Sequence, residues 1–535
     1  MVKLKLKEKI GYALGDGAAN IAWRGVATFL FIFYTDVFGL NPVTVGVLFL
    51  VARFSDGISD VLMGIIGDRT KSRYGKFRPW ILWTAIPLAV ILSLLFTNPG
   101  FSDSGKIVYA YITYIMFTLI YTANNIPYGA LMAVMAGDDK ERASLGSYRM
   151  VGAFAGGMLV QGALLFLVAY FGNINPDVNI QKVGADSYKI AVSTNKSIEN
   201  VNIKTENGIG KFIWLDEVVE KNEPTTRKSF SLKANTTYNL LVTGESNLKA
   251  SDISIINQKT GYSNAMYLMS VFLAVLLLIT FFTTKERVEP PKTQKNNLLQ
   301  DFKDLVANQP WLILLVVGLL FNIYNAIKQG IVVIYFTHYL NNQLLSASFL
   351  VGLMVASIIG AMVTAPLSKR FGKRNLFIYA LLFSGAVNSL FLFCKPGNVE
   401  AIFAIGIISE FAAAIFPTLF FVMLGDAADY SEYKNNRRAT GLIYSAGSFA
   451  TKFGGGIAGA IIGLVLGMFH YNGQDAVSIE GAIPGIIMLM SWIPAIITVL
   501  AAALMMFYPL TQTKLSIITN ELHARRLNEQ HINRI

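Results

Sequence analysis

Residues 49–80, FLVARFSDGISDVLMGIIGDRTKSRYGKFRPW, decide the fold. An apolar run enters them from VTVGVLFLVA without a polar break. It then takes up Arg53, Asp56 and Asp60 and ends in a basic loop with Arg69, Lys71, Arg73, Lys76 and Arg78. Spacings of three and four place Arg53, Asp56 and Asp60 on one helical face. Near mid-bilayer each charged group costs about 2.5–3.5 kcal/mol on the insertion scale, so a helix that served only as an anchor would not carry all three. The pattern predicts a functional site at membrane depth. A purely structural salt bridge is the alternative, but Arg53 neutralises only one of the two carboxylates.

Composition bounds the class around that stretch. The chain has 535 residues, 53% of them hydrophobic and 15% charged, with a mean hydropathy of +0.49, as a polytopic membrane protein does. About twelve apolar segments are long enough to span a bilayer. A formal charge of +12 could suggest nucleic acid, but basic residues in a polytopic chain mark cytoplasmic loops, so no nucleic-acid partner is expected and membrane lipid is. Cys394 stands alone, which excludes an intrachain disulfide framework and a Cys-rich metal motif. His338, His470, His523 and His531 are scattered over helix ends and the tail and read as interfacial residues rather than ligands.

In chain order, MVKLKLKEK runs into GYALGDGAANIAW rather than a short apolar core, so it does not read as a removable signal peptide. The first helix carries Asp16 and Arg24 among glycines and alanines that permit close helix approach. The fourth contains Asn124 and Asn125 before Pro127, where a kink is expected. In the fifth, Arg149 enters the apolar run. Positive residues gather on alternate connections, which predicts a positive-inside orientation with both termini cytoplasmic.

Short β-like runs such as YKIAVSTN, VNIKTE and YNLLVTG, separated by turn residues, then interrupt the helical pattern. They predict a small all-β insertion on the extracytoplasmic side, a docking module for an extracytoplasmic partner or a cap over the vestibule. Trp214 and several tyrosines there suit either sugar stacking or a sandwich core. The whole divides into an N-terminal bundle of helices 1–5 over 1–171, the insertion over 172–260 and helix 6 over 261–284. A cytoplasmic linker over 285–309 follows, with Leu298, Leu299, Phe302 and Leu305 on one amphipathic stripe. A C-terminal bundle of helices 7–12 over 310–508 and a cytoplasmic tail over 509–535 complete it. SRYGKFR after the second helix recurs as KRFGKRN (369–375) after the eighth, so the predicted fold is all-α, two six-helix bundles related by an internal repeat.

Lys328, Glu410 and Lys452 add to the charges at membrane depth. No phosphate-binding G-x-x-x-x-G-K-[ST] run and no nucleophile with a base is present, which argues against a nucleotide-driven pump and against an enzyme. Secondary active transport remains. Asp56 and Asp60 offer hard oxygens to Na⁺ or a proton, with Ser59, Thr122 and Asn125 as neutral donors. The membrane potential supplies about 2.3 kcal/mol per charge and 100 mV to drive coupled accumulation.

Taken together, YTDVFGLNPVTVGVLFLVARFSDGISDVLMG (34–64), TKSRYGKFRPW (70–80), NNIPYGAL (124–131), DKERASL before Tyr148 and Arg149, FFTTKERV (281–288) and DAADYSEYKNNRRATGLIYS (426–445) resemble the glycoside–pentoside–hexuronide:cation symporters, melibiose-permease relatives of the major facilitator superfamily. The resemblance covers the chain except roughly residues 172–260. It implies a twelve-helix transporter that uses Na⁺, Li⁺ or H⁺ to import a sugar or glycoside by alternating access, with no other cofactor. It implies a cation site at Asp56, Asp60, Ser59 and Thr122, with Asn125 beside them. Substrate contacts are expected from Asp16, Trp23, Arg24, Asn125, Arg149, Lys328 and Lys452, and a cytoplasmic gate from Asp68, Arg69, Arg142 and Arg438. Gly17, Asn125 and Gly129 align with two carboxylates and a tryptophan that hold galactosides in melibiose permeases, while Arg149 is kept and Arg24 and Lys328 are added, so the resemblance implies a more cationic cavity for an acidic sugar or a larger glycoside. A Na⁺-coupled lysolipid carrier of the same fold and a non-transporting sugar sensor are the alternatives.

Overall fold

A computed structural model describes residues 4–136, 139–174, 177–194, 198–205, 211–214, 229–243, 248–249, 253–287, 305–435 and 440–532. The first half holds α1 (Leu6–Ile32), α2 (Pro42–Arg69), α3 (Arg78–Leu95), α4 (Asp103–Met135), α5 (Asp139–Gly172) and α6 (Gln258–Thr283). The second holds α7 (Gln309–Ile334), α8 (Gln343–Phe371), α9 (Lys373–Ser389), α10 (Val399–Ala413), α11 (Ile415–Asn435), α12 (Thr440–Met468), α13 (Ala476–Met490), α14 (Trp492–Met505) and the tail helix α15 (Gln512–Ile532). α10 with α11, and α13 with α14, each make one span. Among the described residues nine helices are long and apolar enough to cross a membrane, and the Lys452–Met468 part of α12 is a shorter apolar one. α1 and α2 complete the twelve; their apolar runs are interrupted by Asp16 and Arg24 and by Arg53, Asp56 and Asp60. The predicted fold is therefore the one found. The amphipathic stripe of the linker lies outside the described residues except for Leu305, which is buried.

The helices sort into two compact units. One comprises Met1–Pro290 with Gln329–Val351 and Gly459–Ile486; the other comprises Pro291–Lys328, Gly352–Ala458 and Ile487–Ile535. Within the first, α1 packs along α5. A Cβ at Gly152 would fall on the carbonyl of Ala13 and one at Gly156 on the carbonyl of Gly17, so the two backbones touch where only glycine fits. Gly156→Ala should therefore separate the helices, since overpacking costs about 1–3 kcal/mol or more, and should abolish the monodisperse peak in size-exclusion chromatography. Gly146→Ala, where a Cβ meets nothing within 4 Å, should leave that peak unchanged.

The repeated basic loop places a glycine of positive φ in both halves, three residues before the start of α3 and directly before the start of α9. Gly75 (φ 108°) and Gly372 (φ 78°) both occupy the left-handed region that favours glycine. In the first loop the Glu286 carboxylate accepts the amides of Lys76, Phe77 and Arg78 at 2.8–2.9 Å, closing the positive end of α3. This gives FFTTKERV its structural task. In the second loop Lys373 Nζ reaches both oxygens of Asp426 at 2.8 Å.

The insertion is a β sandwich. Strands β1 (Asn173–Ile174), β2 (Asp177–Gly184), β3 (Ser187–Ser193), β4 (Ile198–Thr205), β5 (Lys211–Trp214), β6 (Ser229–Leu232), β7 (Thr237–Thr243) and β8 (Ile253–Asn257) form two antiparallel sheets ordered β1-β8-β4-β6 and β2-β3-β7-β5. Period-two alternation turns Tyr188, Ile190 and Val192 of β3 and Tyr238, Leu240 and Val242 of β7 into one core with Leu248 and Ile255. Tyr188 and Tyr238 are thus core residues. α5 runs straight into β1, and β8 into α6, whose N-cap Asn257 accepts from Thr260 N at 3.1 Å. β1 and β8 pair side by side through Asn173↔Ile256 and Ile174↔Ile255.

Candidate functional site

The charged face of α2 faces the interior of the first unit. Arg53 and Asp56 are only 6% and 5% exposed, and Arg53 Nη1 donates to Asp56 Oδ2 at 2.6 Å. The other arm of the guanidinium, Nη2, donates to the Tyr114 hydroxyl at 2.8 Å on α4. One helical turn along, Asp60 Oδ1 accepts the Thr122 hydroxyl, also from α4, at 2.9 Å. The i, i+4 spacing on α2 and the matching polar stripe on α4 thus hold two carboxylates side by side. Asp56 bonds the Arg53 guanidinium and Asp60 accepts the Thr122 hydroxyl. Such a pair is chemically able to exchange its resident charge for an alkali cation or a proton. Among the described residues there is no cluster of three or more His, Cys, Asp or Glu side chains of the kind a polydentate metal centre needs.

An aromatic platform adjoins the carboxylates. The Arg53 guanidinium lies 4.8 Å from the ring centre of Trp23, and Trp23 packs on Tyr121 with centroids 5.5 Å apart. Asn125 Nδ2 donates to the Tyr121 hydroxyl at 2.8 Å. Tyr121, Asn125 and Gly129 follow at intervals of four on α4, hence on one face, and a Cβ at Gly129 would meet nothing within 4 Å. A third pair closes this region. Arg149 Nε lies 3.3 Å from Asp16 Oδ2, and its guanidinium is 5.6 Å from the Tyr128 ring. Tyr128 stacks on Tyr12 at 4.7 Å and donates to the Tyr12 carbonyl at 2.6 Å.

The second unit has a polar centre of its own. Lys328 on α7 is 2% exposed. Its ammonium donates to Tyr324 at 3.1 Å, Ser409 at 3.2 Å and Glu410 at 3.3 Å. The other Glu410 oxygen accepts from Ser357 at 2.8 Å, and Ser384 joins Tyr324 to the Ser409 carbonyl. Every member has a partner, as a buried network must.

Of the residues predicted for a cation site, the structure places Asp60 and Thr122 in direct contact. Ser59 donates to the Asp56 carbonyl of its own helix at 3.1 Å. The Asn125 side chain is bonded within the aromatic platform. Of those predicted for substrate, Asp16, Trp23, Asn125 and Arg149 lie in the first unit. Lys328 is wholly enclosed in the network above, and half-buried Lys452 stands on α12 in the second unit. Arg24 is half-buried on α1. Of the gate residues, Arg69 is exposed at the end of α2 and Arg142 Nε donates to the Ala136 carbonyl at 2.8 Å. The Asp68 side chain and the whole of Arg438 lie outside the described residues. Tyr12, Tyr114, Tyr121 and Tyr128 were missed. The signal for the last three is the ladder they form on α4 at intervals of seven, with the polar residues Thr122 and Asn125 between Tyr121 and Tyr128.

The MFS/sugar transport protein family model matches residues 11–196 and 229–512. The inner membrane symporter YicJ of Escherichia coli K12 is 32% identical over 98% of this chain and 97% of its own. The isoprimeverose transporter of Lactiplantibacillus pentosus is 30% identical over 94% of this chain and 88% of its own. Among solved structures, an inward-facing bacterial homolog of the human lysosomal transporter Spinster superposes with a TM-score of 0.62 at 12% identity, covering 94% of this chain and 95% of that one, a likeness of fold alone.

Proposed function

This chain belongs to the MFS/sugar transport protein family, the glycoside–pentoside–hexuronide:cation symporters, and from that premise we propose that it couples the uptake of a neutral glycoside larger than a monosaccharide to Na⁺ or H⁺ entry. It is a multi-pass membrane transporter and not an enzyme. The carboxylate pair Asp56 and Asp60 beside the Trp23–Tyr121 platform carries the reading. The cation binds at the carboxylates with Thr122. The glycoside lies on the platform, where an aromatic face supports the apolar side of a sugar ring. Arg53 touches both, since it bonds Asp56 and covers Trp23. A cation that displaces the guanidinium from Asp56 therefore alters the platform, and cation and sugar are felt at one residue.

Charge pairing favours a neutral substrate over an acidic one. Arg53, Arg149 and Lys328 each sit on a carboxylate, Asp56, Asp16 and Glu410 in turn. Space at Gly129 favours a longer substrate. The relatives matched over nearly the whole chain are named as symporters and as an isoprimeverose transporter, so a lysolipid cargo or a sensor is not favoured. Both basic loops, Arg69–Arg78 and Lys369–Arg374, suit the cytoplasmic side of a bacterial inner membrane, with both termini inside and the β sandwich outside. Membrane lipid surrounds the bundle, and the sandwich is free to meet an extracytoplasmic partner there. Na⁺ or H⁺ is the only cofactor this mechanism needs.

The test is equilibrium binding of neutral disaccharides, monosaccharides and uronic acids to purified protein, with and without Na⁺ and at two pH values. A neutral disaccharide should bind most tightly, and more tightly with Na⁺ or added protons. Gly129→Trp should weaken it by at least about tenfold, about 1.4 kcal/mol, while sparing monosaccharides. Tightest binding by uronic acids, or a Gly129→Trp variant that binds disaccharide normally, would overturn the substrate assignment.

A further inference from the structure

Two π-helical turns stand at equivalent places in the two halves. Phe33–Val37 (FYTDV) closes α1 and Tyr335–Tyr339 (YFTHY) closes α7. Within them Tyr34-Thr35-Asp36 and Phe336-Thr337-His338 occupy the same register, each a few residues before the next helix. A π-turn shifts the direction of the side chains that follow it and is common at functional positions. Here it brings the two titratable residues together, with His338 Nε2 2.7 Å from Asp36 Oδ2. Tyr471, just beyond α12, donates its hydroxyl to Asp36 Oδ1 at 2.7 Å and lies 2.9 Å from His338 Nε2. The Thr35 hydroxyl reaches the same Oδ1 at 2.7 Å. His338 and Tyr471 are 7% and 3% exposed, and all three residues belong to one compact unit.

Packing around the triad is equally close. A Cβ at Gly473 would fall on the Asp36 carboxylate. Along α12, Gly459, Gly463 and Gly467 form a stripe at intervals of four against α2. A Cβ at Gly459 would come within 2.8 Å of Phe49, one at Gly463 would strike the Pro42 carbonyl and one at Gly467 would reach Val43 at 2.5 Å. Gly46 of α2 answers with a Cβ position 2.7 Å from the Gly459 carbonyl. One turn further along α12, at Gly455, a Cβ meets nothing within 4 Å. The zipper is thus confined to the end of the helices that carries the sandwich, the end where Asp36, His338 and Tyr471 lie.

We infer that Asp36, His338 and Tyr471 are the lock that holds the sandwich end of the transporter shut, and that each transport cycle opens it by breaking this hydrogen-bonded triad. The inference rests on the alternating-access reading above. A polar triad suits the task because water replaces its hydrogen bonds when the end opens, whereas a glycine zipper without it has no group that gains from hydration. Asp36, His338 and Tyr471 are positioning residues; none is assigned a contact with cation or sugar.

The test reads opening directly, without any substrate. In a Cys394→Ser background, Ile462→Cys places a thiol at a position that is 2% exposed between Gly459 and Gly463. Its reaction with a membrane-impermeant maleimide added from the sandwich side reports the population of the opened end. Tyr471→Phe removes one hydroxyl and should speed labelling by roughly tenfold, and Asp36→Asn by more, as expected for losing hydrogen bonds to a charged group. Unchanged labelling in a folded Tyr471→Phe protein would overturn the inference. Reduced thermal stability without faster labelling would do so as well, because it would make the triad a static staple. Should Asp36→Asn fail to fold, Tyr471→Phe decides alone. A chain that carried no glycoside would still pass or fail this test, so the lock and the substrate assignment can be rejected separately.

Discussion

Asp60→Asn is expected to abolish the gain in glycoside affinity that Na⁺ or protons confer, while binding without the cation persists. Asp60 is held by the Thr122 hydroxyl at 2.9 Å, and an asparagine oxygen accepts the same hydrogen bond, so the helix pair survives. What disappears is the charge that makes the oxygen pair attractive to a cation. Isothermal titration with and without Na⁺ measures this, and a retained Na⁺ effect would remove Asp60 from the site. Asp56→Asn should lose coupling and stability together. It leaves Arg53, 6% exposed, without its ion pair at 2.6 Å, and breaking a buried pair from one side costs about 3–5 kcal/mol. The two aspartates thus give distinguishable phenotypes from one helical face.

The second large effect lies in the other unit. Glu410→Gln should lower the thermal unfolding midpoint sharply, by roughly 3–5 kcal/mol of stability, because Lys328 keeps its charge with no carboxylate left to meet it. Replacing both, Lys328→Met with Glu410→Leu, should recover most of that loss, since an apolar pair of similar size is often as stable as a buried ion pair. The double variant also asks whether Lys328 touches substrate. Restored stability with normal glycoside binding would make the network structural, whereas restored stability with lost binding would return Lys328 to the substrate contacts.

How much of this was legible in the sequence depends on the length scale of each contact. Arg53 with Asp56, and the shared face of Asp56 and Asp60, follow from spacings within one helix. Helical geometry fixes them before any tertiary structure exists. The glycines of the repeated basic loop were legible by recurrence, and Gly75 and Gly372 both have a positive φ. Asp16 with Arg149 and Lys328 with Glu410 join groups far apart in the chain, so the charges were visible but their partners were not. Most opaque was His338, read as an interfacial residue because a lone histidine at a helix end gives no local pattern. The signal was the parallel between FYTDV and YFTHY, and it acquires meaning only once a π-turn in each half directs the side chains toward one another.

The pairing of β1 with β8 has a consequence for chain topology. Because entry and exit of the sandwich lie on adjacent strands, the folded insertion presents α5 and α6 with the boundary condition of a hairpin turn, whatever the contour length between them. An unstructured loop of that length would cost roughly 2–3 kcal/mol more to close than a tight turn, at about 0.6 kcal/mol for each doubling. The sandwich absorbs that entropy in its own folding. The number of residues between the fifth and sixth spans is thereby uncoupled from the free energy of bringing them together, and a module of this kind can lengthen, shorten or be exchanged without the bundle registering the difference.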